Sequence, residues 1–464
     1  MYRGYADAEV HEGLSWTLEG ALNDYGIVRL GEALAEDAEV DRARAQRYRE
    51  EAEYFRARAA GYVHLFDADT GFFRGRAADG RWRQPADDFD PRTWGHDYTE
   101  ANAWTFAFTA AHDGNGLASL YGGRDGLARK LDEFFATPET AEARFAGSYG
   151  RVIHEMTEAR DVRMGMYAHS NQPSHHVPWL YVHAGQPWKT QRITREVLQR
   201  LYLGSEIGQG YPGDEDNGEM SAWYLFAMTG LYPLRMGSGE YVVGSPAFDR
   251  VDVDLGGGRA LSVVAKNNSP ANVYVQSLTL DGRPLDRAWL HHAEIANGAT
   301  LEFTMGPSPS KWGSDARNLP PSLTSPGDLP ETLHDHTGNA TAVILDDGRD
   351  ARILVDDDAA TALAMPATTS IDLRYERAVD ATHYTITNGA QPVQPLAWSL
   401  EGRNGDGNWI VLDAREDERF AWAHQLRPFR IASPGRYHEY RLRLSHGSAW
   451  QLAELELLHP RRGD

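Results

Sequence analysis

Between Tyr211 and Tyr224 the chain reads Tyr-Pro-Gly-Asp-Glu-Asp-Asn-Gly-Glu-Met-Ser-Ala-Trp-Tyr. Three consecutive carboxylates, Asp214, Glu215 and Asp216, sit on a Pro/Gly turn that feeds an apolar helix. Such a turn is costly unless something positive neutralises it or a reaction uses it. Hard cations take carboxylate oxygens, and hydrolases use carboxylates to activate water. Acids at a helix N-terminus are also favoured by the dipole alone, which is the structural alternative. Two other segments carry complementary groups. Tyr98 to Trp104 sets Glu100 beside an apolar, aromatic stretch, a setting that raises a carboxyl pKa. Ser170 to His176 gathers amides and imidazoles ahead of another apolar run. Two separated acids with aromatics and amides are what glycoside hydrolysis requires, one to protonate the leaving oxygen and one to activate water.

In that chemistry Glu100 is the candidate general acid. Asp214 and Asp216 are the candidates for the base, with Asp216 favoured and Asp214 supporting it. Asn171 and Gln172 offer amide oxygens to a metal or to hydroxyls, or make a turn with Pro173. His175 and His176 are adjacent, and adjacent histidines rarely converge on one ion. His154 and Glu155 form a further polar pair. His112 and Asp113 follow a helix end from which they can line a pocket. Trp104, Trp179 and Trp223 fall in helical stretches and serve either a core or a sugar face.

The elements that must position these groups change along the chain. Up to about residue 236 the apolar spacing is helical, over 14–34, 40–65, 100–111, 126–136, 174–183, 187–202 and 218–232. Pro187 suits a first helical turn. From Tyr241 to about Met305 the period becomes two, with Asp281-Gly282 as a hairpin signal, so 237–312 is expected to be a β unit. Residues 313–330 are Pro/Ser-rich and read as a linker. Beyond them, short strands at 370–375, 383–387, 397–402, 409–412 and 437–444 read as a β-sandwich over 331–464. Asp356-Asp357-Asp358 there is either a solvated loop or a structural calcium site.

Composition limits the partners. The 464 residues carry a net charge of −21, which disfavours nucleic acid and anionic membranes. There is no cysteine, so disulfides, thiolate nucleophiles and zinc-thiolate sites are excluded. Thirteen Trp and twenty-one Tyr supply both cores and sugar-facing rings. No apolar run is long enough to span a bilayer. Met1 to Tyr5 leads into polar sequence without the pattern of a secretory leader.

Glu100 to Trp104, His112 to Leu117, Gly122 to Arg124, Val152 to Glu158, Ser170 to His176, Ala184 to Gln191 and Gly213 to Tyr224 together resemble, in order, the signature segments of the glycoside hydrolase family 92 exo-α-mannosidases. Seven ordered motifs over about residues 1–315 are a specific match. The resemblance implies an (α/α)6 toroid and a calcium ion, with Asp214, Asp216, Asn171, Gln172 and Glu155 as its ligands. It implies inverting release of terminal mannose, and the His154–Glu155 pair implies α-1,2 linkages. Trp104, His112, Asp113, His154, Glu155, Asn171, Gln172, His175 and His176 become substrate-binding residues. Residues 398–402, 409–413, 440–442 and 452–458 resemble a discoidin-like (F5/8 type C) carbohydrate-binding domain of galactose-binding-like jelly-roll form. The expected fold is therefore multidomain α plus β: a partial toroid over 1–236, a β unit, a linker and a C-terminal sandwich.

The family's N-terminal sandwich and opening barrel helices are expected to lack a counterpart in these residues. The expectation is an N-terminally incomplete catalytic domain of an extracellular or periplasmic, bacterial parent, impaired by itself. A glycan-binding protein without turnover is the alternative of another class, and a mannosyl-phosphate hydrolase is the alternative within the family. Glu100 argues against the latter, because a phosphate leaving group needs little protonation.

Overall fold

The computed structural model describes residues 3–202, 210–446 and 450–462. Its contacts divide the chain into two compact units. One comprises Met1–Tyr5, Ile27–Gly61 and Glu331–Asp464, the other Ala6–Gly26 and Tyr62–Pro330. This differs from the linear division expected from composition, and the boundary falls within the first helix, α1 (Gly13–Glu36).

The first unit is built on eight strands hydrogen-bonded into one sheet. In order across it run 331–335, 450–462, 369–388, 426–446, 393–403 and 410–420, with 342–345 added to 369–388 and 363–365 to 450–462. The last strand explains its own pattern. Leu455 and Leu457 enter the main core, while Glu454 and Glu456 point to the opposite face, as a period of two requires. In its pairing with 426–446 the long strand Thr369–Asn388 changes register at Arg374/Val379 and at Ala381/His383. Helix α2 (Arg42–Ala59) belongs to this unit: Tyr54 packs with Leu333 and Leu458. A buried polar chain reinforces it. Trp398 Nε1 donates to Tyr384 Oη at 2.8 Å, Tyr384 donates to Asp413 at 2.7 Å, and Arg415 bridges Asp413 at 2.7 Å to Glu50 at 2.9 Å. Every buried group in it is satisfied, which is what makes such a network favourable.

The second unit holds the remaining helices: α3 (Ala103–Phe106), α4 (Gly114–Leu120), α5 (Arg124–Ala136), α6 (His154–Val162), α7 (Pro187–Arg200) and α8 (Glu219–Thr229). Two expected helices are broken. Over 100–111 only α3 forms; it starts at Ala103 because Asn102 caps it, with Oδ1 accepting from the Trp104 and Thr105 amides. Over 174–183 the backbone makes tight 3-10 turns at Gln172–Ser174 and Val177–Val182, where Pro173 and Pro178 remove amide donors. The β region follows as a five-stranded sheet, in order 250–256, 259–266, 299–306, 274–280 and 283–284, and a three-stranded one of 231–232, 240–243 and 289–291. Asp281 (φ 49°) and Gly282 (φ 76°) make the two-residue turn between 274–280 and 283–284, both left-handed as that hairpin demands.

Residues 313–330, expected as a linker, are fastened down. Trp312 Nε1 donates to the Leu285 carbonyl at 2.8 Å, and Arg124 reaches the Ser314 carbonyl at 3.2 Å. Asp113 is the anchor. It is wholly buried and accepts from Tyr62 Oη, Ser322 Oγ, the Thr324 amide and hydroxyl, and the Gly116 amide. Low complexity concealed this, because the partners are contributed by a helix cap some two hundred residues earlier in the chain.

Candidate active site

Glu100 lies before α3 and not in its first turn, since the cap is Asn102. Its backbone is left-handed (φ 49°), which costs a non-glycine residue on the order of 1–3 kcal/mol and persists only where neighbours enforce it. Here they do. The Glu100 amide donates to Tyr149 Oη at 2.7 Å, and its carbonyl accepts from Asn171 Nδ2 at 3.0 Å. Thr99, one residue earlier, donates its hydroxyl to Glu12 at 2.6 Å.

The acidic turn is held in a similar way. Gly213 is packed so closely that a Cβ there would come within 2.5 Å of Ser170. Asp216 (φ 57°) and Asn217 (φ 56°) are both left-handed, and Gly218 follows at φ 102°. Glu215 is the structural acid of the three. It accepts from the Gly218 and Ser221 amides and the Ser221 hydroxyl at 2.7–3.0 Å, and these bonds hold its pKa below the usual range. Asp216 accepts from the side-chain amide of Gln172. The neighbouring Asn171 and Gln172 therefore hold the two candidate carboxylate segments from one turn.

A cavity of about 680 Å³ opens beside them. Glu100, Gln172, His175 and His176 line it. Asp216 is joined to it through Gln172. Asn171 is buried and spends its amide on the Glu100 carbonyl and on capping the Gln172 amide at 3.1 Å. His154 has both ring nitrogens on carboxylates, Glu155 at 3.1 Å and Glu158 at 3.3 Å. Desolvation opposes its protonation, but Glu155, Glu158 and Asp214 together raise its pKa. Burial raises the pKa of Glu155, and the charge of Glu100 adds to that shift. These segments therefore share one electrostatic neighbourhood. His176 donates from Nε2 to the Phe108 carbonyl at 2.8 Å, and burial pushes its pKa down to about 4.

His154, Glu155, Asn171 and Asp214 are not among the residues that line the cavity, and three further expected pocket residues are spent elsewhere. His112 is fully buried against Tyr25 and Tyr62, and Asp113 is the anchor described above. Trp104 packs edge-on to Phe72 at 4.8 Å with Lys130 over its ring at 4.5 Å. Their apolar or hydrogen-bonded surroundings, read along one helix face, could not be told from a pocket in sequence. Of the other two tryptophans, Trp179 is core and stacks on Tyr232 at 4.7 Å, while Trp223 lines the cavity. Sequence reasoning missed Glu12, Glu19, Trp16 and Glu219, which also line it. Glu19 lies on α1 and Glu12 on the left-handed turn just before it (φ 54°), so no helical spacing linked the two in sequence. Glu219 donates nothing and accepts from His175 Nδ1 at 3.0 Å, which lowers its pKa.

For a cation, Glu155 Oε2 is the telling atom, being buried without a hydrogen-bond partner. Oxygen donors from Gln172, Asp214 and Asp216 in the same neighbourhood fit a hard ion in kind. Among the described residues, three carboxylates with ligand atoms within 4.8 Å of one another occur only in the other unit, at Asp335, Asp357 and Glu456. Burial there pushes Asp335 up to about 7.

Residues 1–307 match the glycosyl hydrolase family 92 catalytic domain. The chain belongs to this family. An uncharacterized secreted glycosidase of Arthroderma benhamiae is 27% identical over 337 residues, which are 67% of this chain and 38% of the relative. A family GH92 α-mannosidase of Bacteroides thetaiotaomicron is 30% identical and superposes with a TM-score of 0.59 over 70% of this chain and 39% of its own. A family GH92 inverting mannosidase of the same species is 36% identical, also at 0.59, over 70% and 41%. The chain thus spans about two fifths of the length of these relatives. As in these structures, a helical region is followed by several β-sheets. No helix among the described residues is long and apolar enough to cross a membrane.

Proposed function

We propose that this family 92 chain carries the acid and base of a calcium-dependent, inverting exo-α-mannosidase that releases terminal, α-1,2-linked mannose. The observation that carries this is the Asn171–Gln172 turn, which clamps the Glu100 carbonyl with one amide and Asp216 with the other beside a single cavity. Glu100 protonates the leaving oxygen. Asp216 takes a proton from the water that attacks the opposite face, with Asp214 supporting its charge. An inverting pair leaves room for that water, with carboxyl groups roughly 6.5–9.5 Å apart. Glu155, Gln172, Asp214 and Asp216 would hold calcium, Asn171 being committed to the backbone. Bound there, the ion would anchor two mannose hydroxyls and favour a distorted ring. Gln172 would then present Oε1 where Nε2 now meets Asp216. His154 and Glu155 support the α-1,2 linkage, and the relatives named as mannosidases support the sugar. The secreted relative supports an extracellular or periplasmic location.

The helices of the second unit are read as part of an (α/α)6 toroid. The sheet of the first unit is read as a discoidin-like jelly roll that binds carbohydrate. Trp422 supports this: it is 61% exposed on a turn whose backbone is tied to buried Asn388 at 3.0 Å. Asp335, Asp357 and Glu456 would hold a structural cation in that unit.

The test is to incubate the chain with α-1,2-mannobiose and calcium and follow the anomeric protons by NMR. Release of β-mannose that stops in excess chelator and returns with calcium is the expected result. Release of α-mannose, or full turnover in chelator, would overturn it. Glycan binding without turnover would select the non-catalytic alternative.

A further inference from the structure

Four carboxylates line the cavity: Glu12, Glu19, Glu100 and Glu219. Glu12 is occupied by the Thr99 hydroxyl. Glu219 is the one held by a buried, otherwise fixed side chain. His175, whose side chain is 3% exposed, meets Glu219 Oε1 with Nδ1 at 3.0 Å and the His169 carbonyl with Nε2 at 2.9 Å. The ring thus sits between the Glu219 carboxylate and the His169 carbonyl, and whichever nitrogen carries the proton has an acceptor in reach. Its main chain is fixed too, because Trp223 Nε1 donates to the His175 carbonyl at 3.0 Å. Behind it, His169 is locked between Tyr167 Oη at 2.6 Å and Tyr202 Oη at 2.8 Å. The Glu219 side chain itself is 45% exposed. It is the first residue of α8, directly after the left-handed turn of Asp216, Asn217 and Gly218, and its amide donates to the Asp216 carbonyl at 3.2 Å.

We propose that Glu219 is a further substrate-positioning residue: its carboxylate, fixed by His175, accepts hydrogen bonds from hydroxyls of the sugar whose glycosidic bond is broken. This rests on the glycosidase reading of the same cavity. A carboxylate is acceptor-only and sugar hydroxyls are donors, so an ionised, immobilised carboxylate is a strong and directional anchor for them. Because the network behind Glu219 is already ordered, little rotamer freedom is lost on binding. The turn that presents Asp216 also sets Glu219, so an anchored ring is registered against the proposed base. The one side-chain hydrogen bond of Glu219 is to His175, through Oε1, and the residue lines the cavity.

The experiment measures binding of methyl α-mannoside and its 2-, 3-, 4- and 6-deoxy derivatives to the full chain by calorimetry with calcium present. Wild type is compared with Glu219→Gln and Glu219→Ala, after thermal melts confirm that both are folded. Wild type should bind one or two of the deoxy derivatives tenfold to a hundredfold more weakly than the parent, the range of a charge-assisted hydrogen bond. Both variants should lose that discrimination while keeping it at the other positions. Discrimination unchanged in the variants, or an equal loss for every derivative, would overturn the proposal and leave the glycosidase reading intact. Wild type that binds no mannoside would instead overturn that reading, and the anchor with it.

Discussion

The side-chain amide of Asn171 donates to the main-chain carbonyl oxygen of Glu100 at 3.0 Å. A residue in the candidate metal and amide turn thereby holds the left-handed backbone of the candidate acid, seventy-one positions earlier. Asn171→Ala removes this clamp and the cap on Gln172 together. The expected result is a loss of about 1–2 kcal/mol of stability and a fall in turnover of about tenfold or more, because a carboxyl displaced by a fraction of an ångström is a poor acid. Urea denaturation and mannoside release measure the two effects. Unchanged turnover in a destabilised variant would separate Asn171 from the placing of Glu100.

Glu100→Gln should depend on the leaving group. Hydrolysis of unactivated mannobiose is expected to fall by about 10²–10⁴, whereas aryl mannosides with good leaving groups, already stable as anions, should lose far less. Steady-state rates on the two substrate types decide this, and equal losses would remove Glu100 from the acid role.

Asp113→Asn should release the strap over 313–330. The carboxylate accepts from Tyr62, Gly116, Ser322 and Thr324, and an amide would bring two hydrogens against those donors. A cost of roughly 3 kcal/mol or more is expected, with new protease cleavage between Trp312 and Pro330. Resistance equal to wild type would show that the anchor is dispensable.

Acid should destabilise the helical unit through buried imidazoles. Burial first, and then Arg235, push His183 down to about 4, and His176 is likewise near 4. The unfolded chain binds these protons at about pH 6.5, so below that value it binds more than the folded one. Stability is therefore complete above about pH 6.5 and is lost as pH falls through about 4, by roughly 3 kcal/mol for His183 alone. His183→Gln should flatten the slope between those values by about one proton. Urea midpoints from pH 4 to 7 check this, and an unchanged slope would show that His183 carries no part of it.

Much of this protein was legible in its residues one segment at a time. Alternation announced the strands, and Asp281-Gly282 announced its turn, because a two-residue hairpin with both φ positive selects Asp and Gly almost regardless of context. The ordered motifs around Glu100, Asn171 and Asp216 announced the family, since those residue types are fixed by chemistry that any fold must supply. What sequence could not supply were relationships between segments. Asn102 caps α3, so Glu100 falls outside the helix, and the clamps from Tyr149 and Asn171 hold its left-handed backbone. Asp113 looked like a pocket acid and is a buried anchor, because its donors arrive from Tyr62 and from the 322–324 strap. Glu219 carries no distinguishing signal in sequence, and its fixed position comes from His175 forty-four residues earlier. Local pattern determines backbone preference and the inventory of chemical groups. Which groups share a cavity, and which are spent on holding the chain together, is decided by long-range hydrogen bonds and burial, whose partners have no fixed spacing in sequence.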